Sequence, residues 1–408
     1  MLFRSVRMIE HVENLCLNCM QDRGPTGKCV HCGFDITEYT VKPHHLEPFT
    51  ILNGRYLLGK VLGEGGFGIT YSALDLAKEE RVAIKELFIS GLLARRNTRT
   101  VLVDANLDGK RYYYECKQKF VQEADLLQKM GDKQGIVDIY NYFEENDTAY
   151  IVMEYLPGED IRTILKKQGG KISFEEAFKL LRPPMRTLIE LHSMGIYHRD
   201  ISPDNIRRLT DGRVKLMDFG GAKSVLNTEK ARYVAVKRGY APPEQYELSY
   251  KIGPWMDVYS MAATFYRCIC GKVPKDAKDR QSDDDIQKPI DMGVKISPQA
   301  QIVLLKGLAL QTEDRYMDMR EFYNDLKKVP EIAKLIQEES GNRNGPSGDI
   351  GTSGNTGSSG EIVQTDPPEP PGPPSPGSSD DPNRKRNIAL VVAAAVAVLV
   401  IRVILMYI

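Results

Sequence analysis

This chain carries the octapeptide His198-Arg199-Asp200-Ile201-Ser202-Pro203-Asp204-Asn205, followed downstream by Asp218-Phe219-Gly220. A strand-like run at residues 213–217 separates the two segments. One carboxylate that accepts a hydroxyl proton, with an amide and a second carboxylate that hold metal ions, can align a nucleophile, two Mg²⁺ ions and a triphosphate. The alternative is that two tripeptides occur here by chance, and the rest of the chain distinguishes these interpretations.

A glycine-rich turn lies well upstream of this octapeptide. Gly63-Glu64-Gly65-Gly66-Phe67-Gly68 fits the pattern G-x-G-x-x-G, which alone is a weak signal. In a dinucleotide-binding loop this pattern opens a helix, whereas here a strand-like run at 69–74 follows and leads to the strand Val82-Ala83-Ile84-Lys85. Glycines let backbone amides close over phosphates where a side chain would collide. The order therefore favours a phosphate-binding turn between two strands.

Further landmarks follow in order along the chain. Residues 150–158 read as a strand that ends in a turn, and helical patterns dominate afterwards. The next landmarks are Gly239-Tyr240-Ala241-Pro242-Pro243-Glu244, Asp257-Val258-Tyr259-Ser260 and Asp314-Arg315-Tyr316. Over residues 56–316 the ordered set resembles a eukaryotic-like bacterial Ser/Thr protein kinase. The resemblance implies an α+β, bilobal kinase domain at 54–330, with a β-rich N-lobe at 54–156 and a helical C-lobe at 157–330. It also makes Arg315 the buried partner of Glu244.

The same resemblance implies the roles of the catalytic residues. Asp200 would orient the substrate hydroxyl and accept its proton, while Asn205 and Asp218 would hold Mg²⁺ or Mn²⁺. Lys85 would contact the α- and β-phosphates of ATP and pair with Glu123, from which an inserted segment at 90–116 separates it. The remaining ATP contacts would come from Leu62, Gly63, Gly65, Gly66, Phe67, Gly68, Thr70, Ala83, Met153, Glu154 and Leu156.

Three residues depart from the pattern of this family. Ser202 stands where Ser/Thr kinases usually carry a lysine that steadies the transferring phosphate, and its hydroxyl brings no charge. Arg207 stands where an apolar residue forms the adenine floor, so it would snorkel, stack on the base or weaken binding. Lys237 lies near the usual threonine of the substrate-docking loop. We expect an active Ser/Thr kinase with protein substrates; a pseudokinase scaffold that binds nucleotide or partner proteins is the alternative.

The segment between Asp218 and Glu244 would be the activation segment. Arg199 beside the catalytic aspartate implies that a negatively charged group helps to order this segment. The candidate phosphorylation sites are Ser224, Thr228 and Tyr233, and Thr228 is favoured as a site of autophosphorylation.

Four of the seven cysteines form two C-x-x-C pairs, Cys16 with Cys19 and Cys29 with Cys32. Two thiolate pairs suit tetrahedral Zn²⁺, so residues 10–36 resemble a zinc ribbon in a reducing compartment. Iron and a redox pair are alternatives, although thioredoxin-like motifs occur singly within a βαβ pattern. Residues 37–53 read as a linker whose two histidines, His44 and His45, could bind metal, although we expect them to be solvated. Lys+Arg and Asp+Glu both number 55, so no global basic field points to nucleic acid.

The C-terminal part combines a polar spacer with an apolar run. Residues 340–386 are rich in Gly, Ser and Pro, which predicts a disordered linker. Residues 388–408 would span about 31 Å as a helix and follow the basic cluster Arg384-Lys385-Arg386. Arg402 opposes insertion by roughly 2.5–3.5 kcal/mol at mid-membrane and less near an end. We expect a single-pass anchor in the cell membrane with the kinase domain in the cytoplasm. Homodimerisation through the small residues of the tail is an open alternative.

Overall fold

The computed structural model describes residues 12–95, 99–103, 106–131, 135–218, 236–246 and 251–341. The predicted phosphorylation sites Ser224, Thr228 and Tyr233 lie outside these residues, as do nearly all of the predicted linker and the whole of the predicted anchor at 388–408. Among the helices within the described ranges, none combines the length and the apolar character needed to cross a membrane.

The N-lobe is built on an antiparallel sheet of six strands with the order β1-β2-β3-β4-β8-β7. A separate hairpin, β5 and β6, lies within the inserted segment. The strands of this lobe are β1 (Ile51–Leu52), β2 (Tyr56–Gly65), β3 (Gly68–Asp75), β4 (Glu80–Leu87), β5 (Leu93–Ala94), β6 (Leu102–Val103), β7 (Ile139–Glu145) and β8 (Thr148–Glu154).

Helix α1 (Leu107–Lys129) packs against this sheet. Its buried side chains include Cys116, Phe120 and Ala124, which recur every four residues and so lie on one face of the helix. Asn106 caps its first turn by accepting a hydrogen bond from the Gly109 amide at 3.0 Å. The helix therefore begins well before the segment around Glu123 that the sequence indicated, and it contains the end of the inserted segment.

The C-lobe is helical around a large apolar core. Helix α4 lies at its centre, since nearly all of its residues are buried. Ser173 and Glu176 form a capping box at the start of α3. The helices are α2 (Ile161–Lys167), α3 (Phe174–Ser193), α4 (Pro254–Cys270), α5 (Ala277–Arg280), α6 (Pro298–Gly307), α7 (Met319–Lys328) and α8 (Pro330–Gly341).

A small sheet at the top of the C-lobe positions the catalytic loop. Its antiparallel strands are β9 (Gly158–Asp160), β10 (Ile206–Leu209) and β11 (Val214–Leu216), and β10 lies in the middle. The octapeptide ends where β10 begins, and Asp218 follows the end of β11. This hairpin therefore brings the two halves of the signature next to each other.

Arg315 and Glu244 form the predicted buried pair. Arg315 Nη1 donates to Glu244 Oε1 at 2.8 Å, and the Arg315 side chain is 0% exposed. The guanidinium also donates to the carbonyl oxygens of Ala309, Leu310 and Trp255. The prediction is confirmed, and the extra bonds tie the end of the activation segment to helix α4 and to the chain before α7.

The cysteine-rich segment packs on the outer face of the N-lobe. Leu15 and Met20 contact an apolar patch formed by Leu57, Leu74 and Leu76. A Cβ on Gly59 would lie 2.2 Å from the Leu17 carbonyl oxygen, so only glycine permits this approach. We call residues 12–39 the cysteine module. The module is thus part of the lobe's surface rather than a separate body.

The predicted linker at 37–53 also contacts the lobe. The Tyr39 hydroxyl accepts a hydrogen bond from the Val61 amide at 2.9 Å. His45, which was expected to be solvated, is buried, with 7% of its surface exposed. The expectation is wrong because His44 and His45 both contact the carboxylate of Glu64 in the glycine turn, at 2.6 and 3.3 Å.

Candidate active site

The interlobe cleft brings Lys85 and Asp218 together. Lys85 Nζ donates to Asp218 Oδ1 at 2.9 Å, although the two residues are 133 positions apart. Burial alone would lower the pKa of Lys85, but Asp218, and then Glu123 and Asp200, raise it above its ordinary value. Lys85 is therefore a cation held beside the carboxylates.

Glu123 lines the same cavity as Lys85. The cavity has a volume of about 40 Å³ and is also bordered by Phe67 and Met153. Glu123 lies on α1, so the helix presents this carboxylate to the cavity behind Lys85. The ion pair between Lys85 and Glu123 stays a prediction, while Lys85 forms an ion pair with Asp218 at 2.9 Å.

The catalytic loop connects Asp200 to Asn205. Asn205 Nδ2 donates to the Asp200 carbonyl oxygen at 2.7 Å and to Asp200 Oδ2 at 2.9 Å. Since both bonds use Nδ2, the amide oxygen is the atom of Asn205 that an ion would bind. Oxygen ligands of this kind, with the carboxylate of Asp218, are those that Mg²⁺ prefers. The residues present thus fit a magnesium ion.

Buried groups beneath the loop fix its backbone. Asp257 accepts hydrogen bonds from the amides of His198 and Arg199 at 2.8 and 2.7 Å, and it contacts His192 Nε2 at 2.9 Å. Burial acts to raise the pKa of Asp257, but His192, then the charge interaction with His198 and the Arg199 amide, lower it below its ordinary value. Arg199 has a φ of 61°, a backbone conformation that such packing must enforce. Asp257 therefore acts as an ionised anchor for the catalytic loop.

The glycine turn connects β2 to β3, as predicted. At Gly68 a Cβ would lie 2.7 Å from the Glu86 carbonyl oxygen and 3.3 Å from Lys85 Cε. Glycine is therefore required where β3 passes Lys85, and Thr70 pairs with Lys85 in the sheet register. Leu62, at the entry to the turn, is 37% exposed, as a side chain facing an open cleft would be.

An apolar cluster joins the predicted adenine contacts. Ala83, Met153 and Leu156 belong to it, together with Val137 and Leu209. The sequence interpretation missed Val137 and Leu209, although both are apolar, Leu209 at the end of β10 and Val137 just before β7, the usual signal of a core position. Arg207 is partly exposed, and its Nη2 donates to the Gly158 carbonyl oxygen at 2.7 Å, so a backbone group holds its guanidinium.

Lys215 supports the hinge between the two lobes, residues 150–158, through Glu154, and it was also missed. It is 2% exposed and donates to Asp138 Oδ2 at 2.9 Å and to Glu154 Oε2 at 2.5 Å. Burial lowers the pKa of Lys215, but Glu154 and Asp138 raise it above its ordinary value. A lysine inside the apolar strand β11 was the available signal. The side chain of Glu154 thus binds Lys215, which leaves its backbone as the group able to meet a nucleotide base.

The four cysteines of the module converge. Cys16 Sγ lies 3.6 Å from Cys32 Sγ, Cys19 Sγ lies 3.6 Å from Cys29 Sγ, and all four sulfurs lie within 4.8 Å of one another. A tetrahedral ion with bonds of about 2.3 Å places its sulfur ligands about 3.8 Å apart. Disulfides have bonds near 2.05 Å, so these are free thiols. The geometry fits one zinc ion.

Asn18 links this thiol cluster to the kinase lobe. Its Nδ2 donates to Cys32 Sγ at 3.5 Å, and its carbonyl oxygen accepts from Ser72 Oγ at 2.8 Å. Burial raises the pKa of Cys32, but hydrogen bonds from Asn18 and Phe34 lower it to about 6. Arg81 Nη2 donates to Asn18 Oδ1 at 3.2 Å, and the Arg81 guanidinium lies 3.4 Å from the ring centroid of Tyr155. A continuous set of contacts thus runs from the thiols to the hinge.

Comparison with known proteins agrees with this geometry. The sequence profile of the family described as "Protein kinase domain" matches residues 56–325. Serine/threonine-protein kinase B of Synechocystis sp. (strain PCC 6803) is 30% identical over 291 residues, which cover 68% of this chain and 47% of that protein. Serine/threonine-protein kinase PknA of Mycobacterium tuberculosis is 30% identical over 239 residues, covering 55% and 48%. The chain spans about half the length of the curated relatives it matches.

Solved structures support the fold. The structure described as "PpkA-294 apo form" has a TM-score of 0.62 and 30% identity, over 69% of this chain and 99% of that one. The kinase domain of Mycobacterium tuberculosis PknI has a TM-score of 0.53 over 70% of this chain and 98% of its own, and at 20% identity it supports the fold alone. The bilobal fold and the resemblance are confirmed: the chain belongs to the protein kinase domain family, with bacterial Ser/Thr kinases among its relatives.

Proposed function

We propose that this chain is an ATP-dependent protein serine/threonine kinase. The observation that carries the proposal is the contact of Lys85 with Asp218 across the cleft, together with the bond between Asn205 and Asp200, whose charge also acts on Lys85. These are the residues that hold a triphosphate, its metal ions and a hydroxyl nucleophile in phosphoryl transfer. Their retention favours an enzyme over a nucleotide-binding scaffold.

Each residue of the site would have a separate role in phosphoryl transfer. Magnesium-bound ATP, when present, supplies the phosphoryl group and part of the charge neutralisation. Asp200 orients the substrate hydroxyl and accepts its proton, while the bond from Asn205 Nδ2 holds the Asp200 carboxylate in place. Asn205 and Asp218 hold the metal ions through oxygen atoms, and Lys85 holds the nucleotide phosphates. The glycine turn covers the phosphates and excludes water.

The test is phosphate transfer from labelled ATP by the purified full chain, with Mg²⁺ or Mn²⁺ and a protein or peptide acceptor. Asp200→Asn should reduce transfer to background, while Asp211→Asn, the same change at an exposed turn, should leave it unchanged. Analysis of the product should show phosphoserine and phosphothreonine. Transfer that survives Asp200→Asn would contradict the assigned base, and silence from wild-type protein that still binds ATP would support the scaffold alternative.

Autophosphorylation within the activation segment is part of this proposal. Thr228 is the favoured site because it lies between Asp218 and Glu244, in the segment that a negative charge beside Arg199 would help to order. Mass spectrometry of active protein should find phosphate on Thr228, and its absence there and on Ser224 and Tyr233 would exclude the idea.

The cysteine module is proposed to bind one zinc ion through Cys16, Cys19, Cys29 and Cys32. The sulfur spacing supports this, because two pairs at 3.6 Å are close to the spacing of ligands around one tetrahedral ion. Elemental analysis should find one zinc per chain. Cys19→Ser should lose it, and Cys116→Ala, at a buried thiol outside the cluster, should keep it. Iron in place of zinc, or no metal, would contradict the assignment.

Residues 388–408 are proposed to anchor the chain in the cell membrane with the kinase domain in the cytoplasm. The support is the sequence alone: an apolar run long enough to span a bilayer, preceded by three basic residues. Full-length protein should stay in the membrane pellet after alkaline carbonate extraction, whereas a chain ending at residue 386 should be released. Full-length protein in the soluble fraction would contradict the anchor.

A further inference from the structure

Lys237 occupies the space that the substitution at Ser202 leaves open. Lys237 Nζ donates to Ser202 Oγ at 2.8 Å and also forms an ion pair with Asp204. Ser202 is two residues after Asp200 and fully buried. A cation from another part of the chain therefore lies where the catalytic loop itself has only a hydroxyl.

The backbone around Lys237 holds its side chain toward the loop. The Lys237 carbonyl oxygen accepts from the amides of Tyr240 and Ala241 at 3.0 and 3.1 Å, which closes a turn. Lys237 and Asp200 line the same small cavity of about 10 Å³. The Lys237 side chain is 33% exposed, so the ammonium group is placed between the buried loop and the open cleft.

The ion pair with Asp204 does not by itself explain Lys237. Asp204 Oδ1 already lies 2.6 Å from Arg162 Nε, so this carboxylate has a second cation. An ammonium group has three N–H donors, and the contacts with Ser202 and Asp204 use two of them. The third donor suits an anionic oxygen in the cleft. In this position the positive charge would act close to the base and would stabilise charge on a transferring phosphoryl group.

We propose that Lys237 is a catalytic residue that supplies the positive charge missing at Ser202. The proposal rests on the kinase function proposed above. The oxygen of the substrate hydroxyl forms a bond to the γ-phosphorus of ATP while Asp200 takes the hydroxyl proton. The bond between the γ-phosphorus and the oxygen that bridges to the β-phosphate breaks, and its electron pair leaves with ADP. Lys237 stays an ammonium ion throughout, contacts the phosphoryl oxygens and exchanges no proton. In the usual pattern the catalytic loop carries the lysine and the docking loop carries a hydroxyl residue. In this chain the hydroxyl, Ser202, is in the catalytic loop and the lysine, Lys237, is in the docking loop.

The test compares Lys237→Met and Lys237→Ala with the double variant Ser202→Lys/Lys237→Ser in the full chain. Loss of the charge should lower kcat about 10²-fold, with peptide KM and ADP affinity changed less than about threefold. ATP hydrolysis without peptide should fall in parallel, because water meets the same phosphoryl group. The double variant should regain most of kcat. Lys328→Ala, at an exposed ion-paired lysine on α7, is the matched control and should match wild type.

Each outcome decides the proposal. An unchanged kcat in Lys237→Met overturns the catalytic role of Lys237. A rise in peptide KM alone, with ATP hydrolysis unchanged, also overturns it and indicates that Lys237 serves in peptide docking. Lack of Asp200-dependent transfer in wild type is the failure of the proposed function itself, which removes this inference as well. Binding of ADP with fluoroaluminate gives a readout besides turnover: Lys237→Met should lose the added affinity for the fluoroaluminate complex while still binding ADP. Equal preference in both proteins overturns the proposal.

Discussion

The buried pair of Arg315 and Glu244 allows a quantitative test of what holds the C-lobe together. Glu244→Gln keeps the size of the side chain and removes its charge. Arg315 then keeps three carbonyl acceptors but loses the carboxylate at 2.8 Å while fully buried. Removing one partner of a buried pair costs about 3–5 kcal/mol. Because the remaining carbonyls still solvate the guanidinium, we expect Glu244→Gln to fall near the lower end, about 3 kcal/mol.

Arg315→Met should cost more, about 5 kcal/mol, since it also leaves three carbonyl oxygens and Glu244 without these bonds. The double variant should be less destabilised than the sum by about 2 kcal/mol, because the second change removes a bond already lost. Lys328→Met, which removes an exposed ion pair on α7, should cost less than about 1 kcal/mol.

The assay is urea unfolding followed by tryptophan fluorescence. Trp255 is the only tryptophan of the chain, and its carbonyl oxygen accepts directly from Arg315, so the signal reports on this part of the C-lobe. With a slope of about 2–3 kcal/mol per molar urea, a loss of 3 kcal/mol lowers the midpoint by roughly 1 M or more. Additive effects of the two single changes within about 0.5 kcal/mol would refute the coupling, and a midpoint unchanged in Glu244→Gln would refute the burial argument.

Three further predictions follow from the packing of the lobes. Gly59→Ala should lower Tm by several degrees because its methyl group meets the Leu17 carbonyl oxygen, whereas Gly63→Ala, which meets nothing within 4 Å, should not; equal Tm values would contradict the docking of the cysteine module. Lys215→Met should weaken ADP binding, measured by calorimetry, because Glu154 at the hinge loses its buried cation; unchanged affinity would exclude this support. Asp257, whose folded pKa lies below its unfolded value, contributes stability above the unfolded pKa and loses it as pH falls through the folded one. The difference in unfolding free energy between wild type and Asp257→Asn should therefore stay constant from about pH 7 to 5 and shrink only below about pH 4, and earlier shrinkage would show that Asp257 is protonated in the fold.

The sequence predicted contacts between residues that are close together in the chain better than contacts between distant residues. Asp200, Asn205 and Asp218 could be grouped because one short hairpin joins them, so their spacing in the chain is almost their arrangement in space. The contact between Lys237 and Ser202 could not be predicted, since it joins residues 35 positions apart and no local spacing relates them. The sequence therefore marks Ser202 and Lys237 as two separate departures from the family pattern and does not indicate that they are in contact.

The partners of charged side chains inside the fold were the other limit, where Lys215 and His45 are buried and Arg207 is partly exposed. Lys215, His45 and Arg207 carry charge or can carry it, so a sequence interpretation places them in solvent or leaves their contacts open. Each instead meets an acceptor that only the folded chain supplies: carboxylates beside β11, the Glu64 carboxylate and the Gly158 carbonyl oxygen. Apolar periodicity predicts which face of a helix or strand is buried, but it does not predict which hydrogen-bond partner a polar side chain on that face will meet.

The packing of the cysteine module against the N-lobe bears on how these two parts of the chain can be separated in evolution. Leu57 and Leu74 lie in strands β2 and β3 and Leu76 follows β3 directly, yet part of what covers these three side chains belongs to the module. A descendant that lost residues 12–39 would expose this apolar surface and become prone to self-association. We therefore expect the module and the lobe to be kept together, and a domain boundary placed before residue 12 rather than at the first strand keeps this apolar surface covered.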